Sequence, residues 1–176
     1  MIRLFYLSIA IAVAVSLPAL AVSPYVDQAS HSIKSLSDEE VADYLSGKGM
    51  GLAKAAELNG YPGPAHVLEL ADPLALSPTQ KERTEAIFRR MQARAKSAGM
   101  RLIDEEYKLD QLFASKTISS PLLHQTLASI ASLQAEVREI HLQAHLDEAK
   151  VLSEEQTMQY WHLRGYGSSV GHAHGH

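Results

Sequence analysis

An all-α fold, a long antiparallel helical hairpin with shorter flanking helices, follows from three features of this 176-residue chain. One short pattern returns three times, as Leu36-Ser37-Asp38-Glu39-Glu40, Leu76-Ser77-Pro78-Thr79-Gln80 and Leu152-Ser153-Glu154-Glu155-Gln156. Between its second and third copies lie two long runs with helical apolar spacing. Aromatic residues are few, with three Phe and one Trp against abundant Ala and Leu, which suits helix packing better than a sheet.

Each repeat is a capping box. The Ser hydroxyl accepts from the N–H three residues on, and the Glu or Gln there reaches back to the Ser N–H, so two donors left free at a helix start are satisfied. Pro78 stands at the first helical position, where its missing N–H costs nothing. The second box therefore opens a helix over residues 78–114. A second long helix is expected over 121–150, after the polar turn at residues 115–120, and the two form an antiparallel hairpin. Phe88, Met91, Ala95, Ala98, Leu102, Leu109 and Phe113 step by three, four or seven and share one stripe, as do Leu127, Ile130, Leu133, Val137, Ile140, Ala144 and Val151. At 1.5 Å rise per residue the first helix is about 50 Å long, so an elongated shape is expected. Gly99 is a point where it could bend.

Upstream, a short helix is expected over 37–46, a glycine-rich hinge over 47–51, and a second short helix over 52–58, stopped by Asn59-Gly60. The hinge lacks the spaced glycines and the following Lys-Ser/Thr of a phosphate loop. Tyr61-Pro62-Gly63-Pro64 resets direction before a helical turn or two over 66–74. The Gly, Ser and His composition of residues 167–176 predicts a disordered tail.

The N-terminus predicts export. A short positive start is followed by an apolar stretch over 4–17, a break at Pro18, and the small residues Ala19 and Ala21. Together these mark residues 1–21 as a cleaved signal peptide, with an uncleaved anchor as the alternative. The chain has no Cys, hence no lipoprotein attachment, disulfide or thiolate site. Cleavage removes one cation, Arg3, and no acid, so the formal charge moves from −4 to −5, which argues against nucleic acid as a partner. The mature length suits one domain with a modest core.

The export signal, the hairpin and the boxes ending in Gln80 and Gln156 resemble the LTxxQ-motif proteins, the Spy/CpxP family of periplasmic chaperones and stress adaptors, with Ser in place of Thr in both boxes. The resemblance covers about residues 64–166, including the ending Tyr160-Trp161-His162-Leu163-Arg164-Gly165-Tyr166. It leaves residues 22–63 unexplained. It implies a four-helix hooked hairpin that dimerises into a cradle in a Gram-negative periplasm. It also implies a protein that is not an enzyme, needs no cofactor and does not stay in the membrane after cleavage. Related periplasmic heavy-metal sensor and resistance proteins share the hairpin.

Two binding functions are open. A chaperone for unfolded or envelope proteins would use the exposed side of the first long helix. There Arg83, Arg90, Arg94 and Arg101 form a basic line beside the seam, and Met100, Ile103 and Tyr107 form an apolar patch nearly opposite it. The same residues could instead be arginine stems lying over the seam and a face that packs on the short helices or in a dimer. A metal site for Zn, Ni, Co or Cu would use His141 and His145, four apart on one helix face, with His66 and Glu69, three apart, or with Glu148. The pairs occupy places comparable to the ligands of the metal-binding relatives, although no Met follows His141 at four residues. A solvated pair of histidines is the alternative. His172, His174 and His176 are a loose chelating tract. No nucleophile elbow or His-Glu-x-x-His is present, and Asp104, Glu105 and Glu106 are expected on a solvated face.

Overall fold

A computed structural model describes residues 22–168 of the chain. The expected signal peptide and the three tail histidines lie outside the described residues. Six α-helices follow in order: α1 (Asp38–Ser46), α2 (Lys54–Glu57), α3 (Pro64–Glu69), α4 (Pro78–Ala114), α5 (Ser120–Glu148) and α6 (Glu154–Leu163). Single 3-10 turns occupy Asp27–Ser30 and Tyr166–Ser168. The fold is all-helical and the long pair α4 and α5 packs together as a hairpin.

All three capping boxes form with both of their hydrogen bonds, at Ser37 with Glu40, Ser77 with Gln80 and Ser153 with Gln156. The two boxes ending in Gln also join each other. Gln80 Nε2 donates to Gln156 Oε1 at 2.7 Å, and Gln156 Nε2 donates to Gln80 Oε1 at 3.2 Å. The same amides donate to the carbonyls of Val151 and Leu74. The start of α4 is thereby clasped to the start of α6.

The core runs along the hairpin from this clasp towards the α4–α5 turn. Val67, Leu74, Leu152 and Tyr160 pack beside the clasp, followed by Ile87 with Ala144 and Val151. Ala95 and Ala98 then face Val137 and Ile140, and Leu102 faces Ile130 and Leu133 nearer the turn. Each fully buried Leu, Ile or Val stabilises by about 1.5–3 kcal/mol. Two residues expected in the stripes fall outside it, because the free end of the hairpin has nothing to pack against: Phe113 is 54% exposed and Leu127 46%.

Residues before α3 pack onto the hairpin, α1 against α4 and α2 against α5. Small residues on α4 admit this layer. A Cβ on Gly99 would lie 2.7 Å from the Tyr44 carbonyl oxygen, so this glycine permits the close approach of α1 and α4 runs unbroken through it. The bend expected at Gly99 gives way to that role. Of the stretch expected to be a hinge, residues 48–51 are exposed and Gly47 alone is packed. Gly47, left-handed at φ +70°, caps α1, and a Cβ there would lie 2.9 Å from the Gln92 carbonyl oxygen. Further upstream, Ser35 donates to Glu106 at 2.8 Å, and Lys34 pairs with Asp110. Glu106 is therefore buried, not on the solvated face expected for it.

Candidate functional site

The layer made by residues 46–66 does not close fully onto α4 and α5. It leaves a cavity of about 490 Å³ whose floor includes Phe88 and Met91 from α4 and whose walls include Gly47, Gly49, Ala53, Gly63 and Pro64. Three imidazoles face it, from His66, His141 and His145.

His141 and His145 stand on α5 one turn apart, and they are 3% and 8% exposed. Their positions continue the stripe of Val137, Ile140 and Ala144, which carries them inward. The solvated-pair alternative is thereby excluded. His141 Nε2 is buried without a hydrogen-bond partner. Burial, then the neighbouring His145, push the His141 pKa below its ordinary value, so at neutral pH its ring is uncharged. The His145 ring is fixed by its partner. Its Nδ1 lies 2.8 Å from the Tyr61 carbonyl oxygen, which only accepts, so Nδ1 is the donor and the neutral ring would hold its lone pair on Nε2. Gly63 makes room for this ring, since a Cβ there would lie 2.9 Å from His145 Cε1.

His66 approaches from α3, which begins at Pro64. Its Nδ1 donates to Glu69 Oε2 at 3.0 Å, so the neutral ring would hold its lone pair on Nε2. Glu69 thus orients His66 from the outer face of α3, where it is exposed. The expected quartet is brought together only in part. Among the described residues, no group of three or more His, Asp or Glu is close enough to hold one ion.

A second chamber of about 410 Å³ adjoins the first and shares Gly49, Ala53, His66 and His145 with it. Lys54, Glu57, Arg164 and Tyr166 line its far side. Glu57 is the junction here. It accepts from the Tyr160 hydroxyl at 2.8 Å, from Arg164 Nε at 3.2 Å and from the Tyr166 hydroxyl at 3.2 Å, and lies 3.8 Å from His145 Nδ1. Burial and then the Glu57 carboxylate raise the Tyr160 pKa, so the hydroxyl stays a donor. Glu57 did not stand out in the sequence, and Tyr160, Arg164 and Tyr166 did so only as part of the ending that carries the family resemblance.

Glu148 is fully buried nearby on α5, with Thr84 donating to its Oε1 at 2.7 Å and Oε2 unpartnered. Burial raises its pKa to about 7 against the opposing effects of Thr84 and Arg83. It does not line either chamber.

The surface residues have separate environments. Arg90 pairs with Asp147 at 3.0 Å and Arg101 with Glu136 at 2.6 Å, both across the hairpin. Arg83 and Arg94 are exposed and make no ion pair among the described residues. Met100 and Tyr107 are half exposed, and Ile103 is partly covered. No helix among the described residues is long and apolar enough to cross a membrane. No family model matches the chain, and no curated protein or solved structure is significantly similar to it.

Proposed function

We propose that this is a periplasmic protein that binds a divalent transition metal, Zn, Ni, Co or Cu, through His141 and His145, with His66 drawn closer from α3 on binding. The reading agrees with the resemblance to the metal-binding relatives of the Spy/CpxP chaperones. The observation that carries it is the buried His141 Nε2, which has no hydrogen-bond partner, on a ring that lines a cavity together with the His145 ring. Leaving a buried polar atom unpaired costs about 1–3 kcal/mol, a cost that metal coordination offsets. The hydrogen bonds from His145 to Tyr61 and from His66 to Glu69 supply the outer support by which metal-bound imidazoles are oriented. In this account Glu69 positions His66 and does not itself bind the ion.

Calorimetric titration of the mature chain, with His172, His174 and His176 replaced by Ala, tests this directly. One metal per chain should bind, and His141→Ala with His145→Ala should abolish binding while helix content is kept. Unchanged binding in the double variant would refute the assignment.

A second reading, an ATP-independent chaperone that works as a homodimer, is favoured by half-exposed Met100 and Tyr107 on the side of α4 away from the seam. It predicts suppressed light scattering from a denaturing client and a dimer in analytical ultracentrifugation. No suppression at excess protein would remove it.

A further inference from the structure

We infer that the two chambers together bind a small organic monocarboxylate with an apolar body, the body lying in the first chamber and the carboxylate reaching Lys54 in the second. This goes beyond the metal reading and does not rest on it, because no ion takes part. Three observations lead to it.

The first is the lining of the first chamber. Ala53, Pro64, Ala65, Phe88 and Met91 supply carbon, and the 490 Å³ they help to enclose lies in the range of about 300–1,000 Å³ typical of small organic ligands. Phe88 and Met91 belong to the apolar stripe of α4, yet the layer above leaves both only partly covered. An apolar guest completes their burial, and the release of water from both carbon surfaces drives binding. The second is continuity. Gly49, Ala53, His66 and His145 line both chambers, so a guest held in the first has its far end at the second.

The third is charge. Histidines aside, the charged side chains on the two chambers are Lys48, Lys54 and Arg164 against Glu57. Lys48 pairs with Asp43 and Arg164 with Glu57, whereas Lys54 makes no ion pair among the described residues. A Cβ on Gly51 would lie 3.4 Å from Lys54 Nζ, so the ammonium lies over that glycine, on the wall of the second chamber. One unpaired cation matches one carboxylate. Lys54 is exposed, so the carboxylate stays hydrated at the mouth while the body is buried, and the cost of stripping a charge of water is avoided.

The test is calorimetric titration of residues 22–176, with EDTA present throughout, by hexanoate, octanoate and 1-octanol. One ligand per chain is expected. Each CH₂ that enters the apolar chamber tightens binding about fourfold, so octanoate should bind about fifteenfold more tightly than hexanoate. Lys54→Gln should weaken octanoate about three- to fivefold and leave 1-octanol unchanged. Ala53→Leu, which narrows the junction of the chambers, should weaken octanoate at least about tenfold, with circular dichroism showing that helix content is kept. No octanoate binding by the parent chain, an octanoate affinity no higher than that of hexanoate, or equal effects of Lys54→Gln on octanoate and 1-octanol overturn the inference. The metal titration above is run without EDTA, so the two readings fail separately.

Discussion

Gln80 and Gln156 close their own capping boxes and hydrogen bond reciprocally, at 2.7 and 3.2 Å, across 76 residues of chain. Each amide oxygen also accepts from the N–H of its cap serine, and each amide nitrogen also donates to a carbonyl at the base of the hairpin. Both amides are thereby used fully. A Glu at either place keeps the cap and loses both donors.

Gln156→Glu should therefore destabilise the protein by about 1–3 kcal/mol, the cost of unpaired buried groups. The cap at α1 gives the control. Glu40 bonds only within its own box, so Glu40→Gln should cost less than about 1 kcal/mol, chiefly lost helix-dipole attraction. Urea denaturation of the two variants measures the difference. Equal costs would mean that the clasp adds nothing beyond capping.

Gly99→Ala reverses a common expectation. In an exposed helix this change stabilises by about 1 kcal/mol. Here the new Cβ would meet the Tyr44 carbonyl oxygen at 2.7 Å, a backbone atom that cannot turn aside. We expect a net loss of about 1–3 kcal/mol by overpacking, read as a lower melting temperature. A more stable variant would show that α1 does not sit on α4 as described.

Glu148 makes stability depend on pH. Its folded pKa of about 7 exceeds the ordinary value of 4.5, so the contribution is complete below about pH 4.5 and is lost as pH rises through 7. At 1.36 kcal/mol per pKa unit the loss by pH 8 is about 3 kcal/mol. Glu148→Gln still accepts from Thr84 and carries no charge. It should be more stable than the parent at pH 8, with the gap nearly closed at pH 5. A gap that is the same at both pH values would show that Glu148 does not titrate in this range. His141 acts in the opposite sense: its lowered pKa means that stability falls as pH drops below about 6.5, where the unfolded chain takes up the proton.

The hairpin was legible because its signals are local. The three boxes mark helix starts without reference to the rest of the fold, and the period of three and four marks the buried faces. Placing Phe113 and Leu127 in the core was wrong, since periodicity identifies a face but not how far the opposing layer extends. The candidate site was legible in part. His141, His145 and Glu148 stand three and four apart and continue the stripe of Val137 and Ala144, so the pattern that placed the apolar residues inside also held their burial. Glu57, Arg164 and Tyr166 meet only because α2 and the end of α6 fold to the same place, across 107 and 109 residues. No local spacing contains that.

Gly63→Ala probes the site without touching a proposed ligand. A Cβ at 2.9 Å from His145 Cε1 displaces the ring and disturbs its hydrogen bond to Tyr61. Metal affinity should fall at least about tenfold, equivalent to about 1.4 kcal/mol, with helix content unchanged. Retained affinity would show that the orientation of His145 is not what the site requires.

The central claim is that a metal ion binds between His141 and His145. Crystals of residues 22–176 with the three tail histidines replaced by Ala, grown with Ni²⁺, allow diffraction measurement at the nickel absorption edge. The account predicts one anomalous peak per chain inside the cavity, roughly 2.1 Å from a ring nitrogen of each of the two histidines. A cavity without a peak at saturating nickel, or peaks confined to the surface, would contradict it.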